Sequence, residues 1–335
     1  MSCRECSSIQ RTARVVLPIT VLTLLVACGG DSTESERGSE AVEREEMIVV
    51  RPLTSEASDE EIVDHLLAIE ASGVMSVELS RHFPELARER AYELQRMRLE
   101  RKQVNDGQVG WKIGYSRQID PRVSIDPVFG RILASNVYQR GQSVPTNRFV
   151  NVPVSASSSG QSSEKDLQAL VEAEVGIWLN QDLPGPTVNR DDVIGAVSQV
   201  GAVIELVHSR VRPDGEGPNT HNHAIADNVF HIGLMFGEKR AYAGEMDWPT
   251  ERVRVEINGE TQSEGRTSSI MGRDPIEGVV WLANELLKYG YQLRAGEFVI
   301  TGNLVTPQVI GLGDSAKIEF STLGDLELRV SEGDE

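Results

Sequence analysis

Cysteine is confined to the first 28 residues of this 335-residue chain, where Cys3, Cys6 and Cys28 are the full complement. The rest has no thiol for a disulfide, a soft metal or a nucleophile, so the fold must be held by packing. Clusters of Lys and Arg interleaved with aromatics are also missing, and the formal net charge is -18. Phosphate binding depends on clustered cations, which argues against a nucleic-acid partner. Internal repeats are absent. What remains is a chain with 39% hydrophobic content, long enough to bury a sizeable core in one large domain or two smaller ones.

The N-terminus reads as an address. Arg4, Arg11 and Arg14 precede "VVLPITVLTLLVA", a run too short to span a bilayer comfortably but suited to a signal-peptide core. Small residues before Cys28, in "LVAC", resemble the bacterial lipobox, which implies cleavage of residues 1–27 and lipid attachment at Cys28. The expectation is an exported lipoprotein, anchored on the periplasmic side of a membrane, with Gly29 leaving outer-membrane delivery open. Residues 28–57 begin with polar, acidic sequence lacking apolar periodicity, and are expected to form a disordered tether.

Order is expected from Ser58, which caps a helix with Glu61 three residues on and an Ile62, Leu66, Ile69 stripe behind it. A second helix carries Leu86, Ala91, Leu94 and Met97, its charged face expected in solvent. Residues 58–106 thus form a helical region, and residues 107–335 turn strand-rich, with "RVRVEINGE" alternating into an Asn258-Gly259 turn. One helix interrupts them, with Asp274 as N-cap, Pro275 in the first turn, Glu277 closing a capping box and Gly290 as the stop. Residues 154–165, "SASSSGQSSEKD", read as a surface insertion.

The stretch "VEAEVGIWL", residues 171–179, alternates as a strand and places Glu172 and Glu174 on one face. A solvated face would explain them, and so would a shared hard cation such as magnesium, manganese or calcium, which needs a further ligand. Glu205 in "GAVIELVHSR" is a candidate, because it sits in an apolar run where an unpaired charge is costly to bury. A salt bridge to Arg210 is the alternative.

From about residue 60 onward the chain resembles the 2-keto-4-pentenoate hydratases and 4-oxalocrotonate decarboxylases of the fumarylacetoacetate hydrolase superfamily. The matching pieces run in order: "GWKIGYS", "PVFGRILAS", "VEAEVGIWL", "VIELVHSR", "ADNVFHIGLMFG", the long block from "GRDPIEGVVW" to "VITGN", and "GDSAKIEFSTLGDLELRV". The resemblance implies an α+β fold, with the helical N-terminal region packed on a strand-rich mixed β-sandwich roll. It implies that Glu172, Glu174 and Glu205 bind Mg²⁺ or Mn²⁺, which a small 2-oxo acid substrate chelates. Lys112 matches the family's active-site lysine, while Ser116, Thr301 and Gly302 match positions lining the substrate pocket. Relatives form homo-oligomers. The implied activity is that of a divalent-metal-dependent lyase, hydratase-like on a 2-hydroxydienoate. A decarboxylase, a diketone hydrolase or a non-catalytic binder of metal and 2-oxo acid are the alternatives.

The departures are specific. Val128 stands where relatives carry an aspartate implicated in proton transfer, and Asp126, two residues upstream, is the nearest substitute. His208 replaces the aspartate of the usual "DSR", and His221 and His223 form a pair that relatives lack. Imidazole titrates near neutrality, so these three offer acid or base chemistry, or for the pair a zinc site.

Overall fold

The computed structural model describes residues 48–103, 106–118, 125–152, 166–214, 221–244 and 246–332. The leader, Cys28, most of the tether and the Ser-rich insertion lie outside these residues.

In chain order, α1 (Asp59–Ser72), α2 (Glu78–His82) and α3 (Arg88–Lys102) are followed by β1 (Gln108–Gly114), β2 (Val128–Leu133), β3 (Val137–Tyr138), β4 (Ser143–Pro145) and β5 (Val150–Val152). Next come β6 (Asp166–Leu179), α4 (Arg190–Ala196), β7 (Val197–Val207), α5 (His221–Ala226), β8 (His231–Phe236) and β9 (Arg240–Ala241). The chain closes with β10 (Arg252–Ile257), β11 (Glu260–Arg266), α6 (Pro275–Leu286), β12 (Phe298–Ile300), β13 (Gln308–Ile310), β14 (Ser315–Phe320) and β15 (Gly324–Ser331).

The larger sheet runs β2-β1-β12-β6-β7-β8-β3, with β5 and β13 also pairing β6 and β9 pairing β7, and the smaller runs β11-β10-β14-β15-β4. The smaller sheet begins from the hairpin predicted at Asn258-Gly259, where both residues take the positive φ that such a two-residue turn needs. Mixed pairing and few helices make this the α+β, strand-rich architecture anticipated.

Long antiparallel strands β6 and β7 form the centre of the larger sheet, and alternation along them sorts its two faces. Val171, Ala173, Val175 and Ile177 join Ala202, Ile204 and Leu206 in the main core, together with Ile276, Val279 and Leu282 of α6. The other face carries a smaller apolar cluster of Ile132, Trp178, Val203, Leu234, Phe298 and Ile300. Register puts the paired glutamates on this second face too.

Local signals explain the helices. Ser58 and Glu61 form the reciprocal capping box of α1, and Ile62, Leu66 and Ile69 are fully buried behind it. Three corrections come from tertiary packing. In α6 Asp274 does cap, accepting from the Ile276 N–H, but Glu277 accepts from Arg190 instead of closing a box. On α3 the charged face is not all solvated, since Arg98 is buried and paired with Glu70 and Asp227. The last tether residues are not free either, because Leu53 is buried and its N–H donates to Glu78.

Candidate active site

Glu172 of β6 and Glu205 of β7 are direct register partners, and Glu174 lies two residues along the same face. Each of the three carboxylates offers an oxygen within 4.8 Å of the others. Glu174 and Glu205 are buried and Glu172 is partly so. Two like charges at that separation repel by about 3 kcal/mol at an effective dielectric of about 20. Summed over the pairs, this rivals the net stability of a typical domain, about 5–15 kcal/mol. The cluster therefore demands protons or a cation.

The shifts follow from that crowding. Burial first, then Glu205, pushes the Glu172 carboxyl up to about 7. Burial and both neighbouring glutamates push Glu174 well above the usual carboxylate range. Glu205 is the exception: burial would raise it, but Lys112 and His231 outweigh that and hold it low. Lys112 Nζ lies 2.5 Å from Glu205 Oε1, and His231 Nδ1 lies 2.7 Å from the same oxygen. An ionised carboxylate only accepts, so the His231 proton sits on Nδ1. Glu205 Oε2 is buried with no hydrogen-bond partner. The Arg210 pairing considered for Glu205 does not form, because Arg210 bonds Asp227.

Lys112 comes from β1, on the same sheet face. Its register partners are Ile300 on β12 and Gly130 on β2. A Cβ at Gly130 would lie 2.9 Å from Lys112 Cγ, so glycine there makes room for the buried stem. The Lys112 ammonium also donates to Val229 O at 3.1 Å. That carbonyl belongs to a run in which Asn228, Val229 and Phe230 all have positive φ, of 53°, 52° and 61°. For non-glycine residues such backbone costs about 1–3 kcal/mol each and persists only when the surroundings enforce it. The Asn228 amide does part of this, bonding both the N–H and the carbonyl of Arg131 on β2. Arg210 does the rest, donating to the Asp227 carboxylate and carbonyl and to His231 O, and so tying both ends of the turn.

Behind the carboxylates, Gly302 N–H donates to Glu174 Oε2 at 2.8 Å, and Asn303 hydrogen-bonds Glu172. Gly302 has φ of 101°, and a Cβ would fall 1.8 Å from Ser116 Oγ. Glycine is thus required where the chain turns to face Glu174. A cavity of about 360 Å³ opens beside the cluster, its wall including Lys112, Tyr115, Ser116, Arg117, Glu172 and Asn303 among apolar Leu170, Val207, Val229, Phe230, Val305 and Pro307.

The structure brings Glu172, Glu174, Glu205 and Lys112 together and places Ser116 in the cavity wall, its hydroxyl donating to Thr301 O. Thr301 and Gly302 make structural contacts beside the cluster: the Thr301 hydroxyl donates to Val175 O, and the Gly302 amide holds Glu174. Asp126 does not replace the missing aspartate. Its carboxylate is exposed and held by Arg88 at 2.7 Å, while Val128 is buried on the site face. A Cβ added at Gly114 would touch both Val128 and Val229, which crowd that spot with methyl groups.

The three expected histidines also point elsewhere. His221 stacks on Tyr115 and bonds Asp126 O, His223 bonds Phe83 O, and His208 contacts Ser209 O. Among the described residues the glutamate trio is the one group with metal-ligand spacing. The histidine that does reach the site is His231, which sequence reasoning passed over. Its signal was its position, a titratable residue opening the apolar strand "HIGLMF".

The donor set fits a hard dication, being three converging carboxylates, one of which, Glu205, keeps an oxygen without any other partner. The fumarylacetoacetate (FAA) hydrolase C-terminal family model matches residues 123–331. A 2-oxo-hept-4-ene-1,7-dioate hydratase of Escherichia coli is 27% identical over 259 residues, 75% of this chain and 90% of that protein. A 2-hydroxyhexa-2,4-dienoate hydratase of Comamonas testosteroni is 26% identical over 257 residues, 76% of this chain and 90% of its own. The fold is shared with 4-oxalocrotonate decarboxylase from Pseudomonas putida G7, solved with magnesium and adipate. That superposition has a TM-score of 0.69 at 23% identity and covers 82% of this chain and 98% of the other.

Proposed function

Because the chain belongs to the fumarylacetoacetate hydrolase C-terminal family, we propose that it is a divalent-metal-dependent lyase of small 2-oxo acids, hydrating a 2-hydroxydienoate of the 2-keto-4-pentenoate type. One observation carries this reading: three converging carboxylates, with Glu205 Oε2 lacking a partner, beside a cavity that Lys112 also lines. The named hydratases among the relatives support the choice of reaction.

Glu172, Glu174 and Glu205 would hold Mg²⁺ or Mn²⁺, which supplies Lewis acidity toward the 2-oxo group and carboxylate of the substrate. An ammonium has three donors, and Lys112 uses two on Glu205 and Val229 O. The third is available to orient the substrate or to deliver its proton as water adds at C4. With Val128 in place of a carboxylic acid, proton delivery falls to Lys112. A dication and Lys112 together neutralise the three glutamates, so an anionic substrate needs one more positive charge. Among the described residues Arg117 is the other cation in the cavity wall, spending one donor on Val305 O at 2.8 Å. It takes a substrate carboxylate, while Leu170, Val207 and Phe230 cover the hydrocarbon chain and limit water.

The test is loss of dienol absorbance from a small panel of 2-hydroxydienoates, with Mg²⁺ or Mn²⁺ present. Turnover is expected, and Lys112→Ala should lower it about 10²- to 10⁴-fold. Carbon dioxide release from a 2-oxo diacid without hydration would move the assignment to a decarboxylase. Binding with no turnover across the panel would leave a carrier of metal and 2-oxo acid.

A further inference from the structure

We infer that His231 is a positioning residue which, with Lys112, makes Glu205 a one-oxygen ligand for the dication. The inference rests on the metal site proposed above and concerns how this chain builds it. Glu205 Oε1 receives two donors, Lys112 Nζ at 2.5 Å and His231 Nδ1 at 2.7 Å, and Oε2 receives none. A carboxylate oxygen has two lone pairs, so Oε1 is saturated and Oε2 is the oxygen left for a cation. The two donors also stop the carboxylate from rotating, which fixes where Oε2 points.

His231 is itself immobilised. Its ring is buried at 3% exposure, and its carbonyl accepts from Arg210 Nη2 at 3.3 Å, immediately after the left-handed turn. Arg210 thus sets the backbone, and the backbone delivers the imidazole to Glu205. His231 is not a ligand in its own right. Nδ1 is spent on Glu205, and Nε2, on the far side of the ring, lies outside the group of converging ligand atoms. The arrangement is the familiar outer layer of a metal site, in which a partner orients the ligating carboxylate, and loss of such a partner typically weakens metal binding about 10- to 100-fold.

The experiment is calorimetric titration of the purified full-length protein with Mn²⁺ alone, for the native chain, His231→Ala and His231→Asn, each with a metal-free melt. His231→Ala should raise the Mn²⁺ Kd about 10- to 100-fold. His231→Asn keeps an N–H near the position of Nδ1 and should recover most of the loss, which a merely space-filling role would not predict. If His231→Ala does not fold, His231→Leu, similar in bulk but without a donor, carries the same expectation. A folded Ala or Leu variant with native Mn²⁺ affinity would overturn the inference, as would an Asn variant no better than Ala. Failure of the native protein to bind Mn²⁺ would instead overturn the proposed function on which the inference depends.

Discussion

Glu70 and Glu174 are glutamates of one chain, both taken largely out of water, yet their acidities move in opposite directions. Burial would raise Glu70, but Arg98, Arg210 and Lys102 outweigh it and hold its carboxyl well below the usual range. Glu174 is pushed well above that range by burial and by Glu205 and Glu172. The difference is charge balance. Around Glu70 and Asp227 the cations Arg98, Arg210 and Lys102 outnumber the acids, whereas around Glu174 the acids outnumber Lys112, the one permanent cation among them in the described residues. Burial alone says little about role. A network in which cations match or exceed the acids is a brace, here tying α1 and α3 to the turn that presents Val229 and His231, and one with surplus acid is waiting for a cation.

The contrast can be broken from either side. Asp227→Asn leaves Arg98 and Arg210 buried without their shared acid and should cost about 3–5 kcal/mol in urea unfolding. Glu174→Gln removes a repelling charge and should instead stabilise the metal-free protein at pH 8 while weakening Mn²⁺ binding. Equal destabilisation by both changes would mean that the glutamate cluster is another brace.

A smaller effect follows from pH. Glu172 is raised to about 7 from an ordinary value near 4.5. A raised carboxyl leaves stability intact below about pH 4.5 and erodes it as pH climbs through about 7, by up to about 3 kcal/mol. Metal-free melting temperature should therefore fall between pH 5 and pH 8, and Mn²⁺ should raise it more at pH 8 than at pH 5.5. Equal increments at both pH values would contradict the proposed origin of the shift. The smallest expected effect is that of Arg117→Gln, which should raise KM for the 2-oxo acid about tenfold, roughly one charge-assisted hydrogen bond, and leave the Mn²⁺ Kd unchanged. A change in Mn²⁺ affinity would place Arg117 with the glutamates and not with the substrate.

Periodicity was enough to place Glu172 and Glu174 on one strand face, and an acid inside an apolar run was enough to single out Glu205. Capping residues marked the starts of α1 and α6, and Asn258-Gly259 marked its hairpin. These features are local, set by backbone sterics and by side chains a few residues apart. Lys112 and the pocket positions came from resemblance: Lys112 meets Glu205, Gly302 holds Glu174 through its amide, and Thr301 bonds the β6 backbone at Val175.

Alternation by itself determined that two acids share a face and that the apolar run around Glu205 would be buried. Only the tertiary structure decided that β6 and β7 pair Glu172 against Glu205, that Arg210 braces Asp227 instead of neutralising Glu205, and that His231 rather than His208, His221 or His223 reaches the site. The physical reason is range. Strand alternation is set by the chain's own dihedral angles, whereas the charge balance of a buried cluster depends on segments brought together from distant parts of the chain.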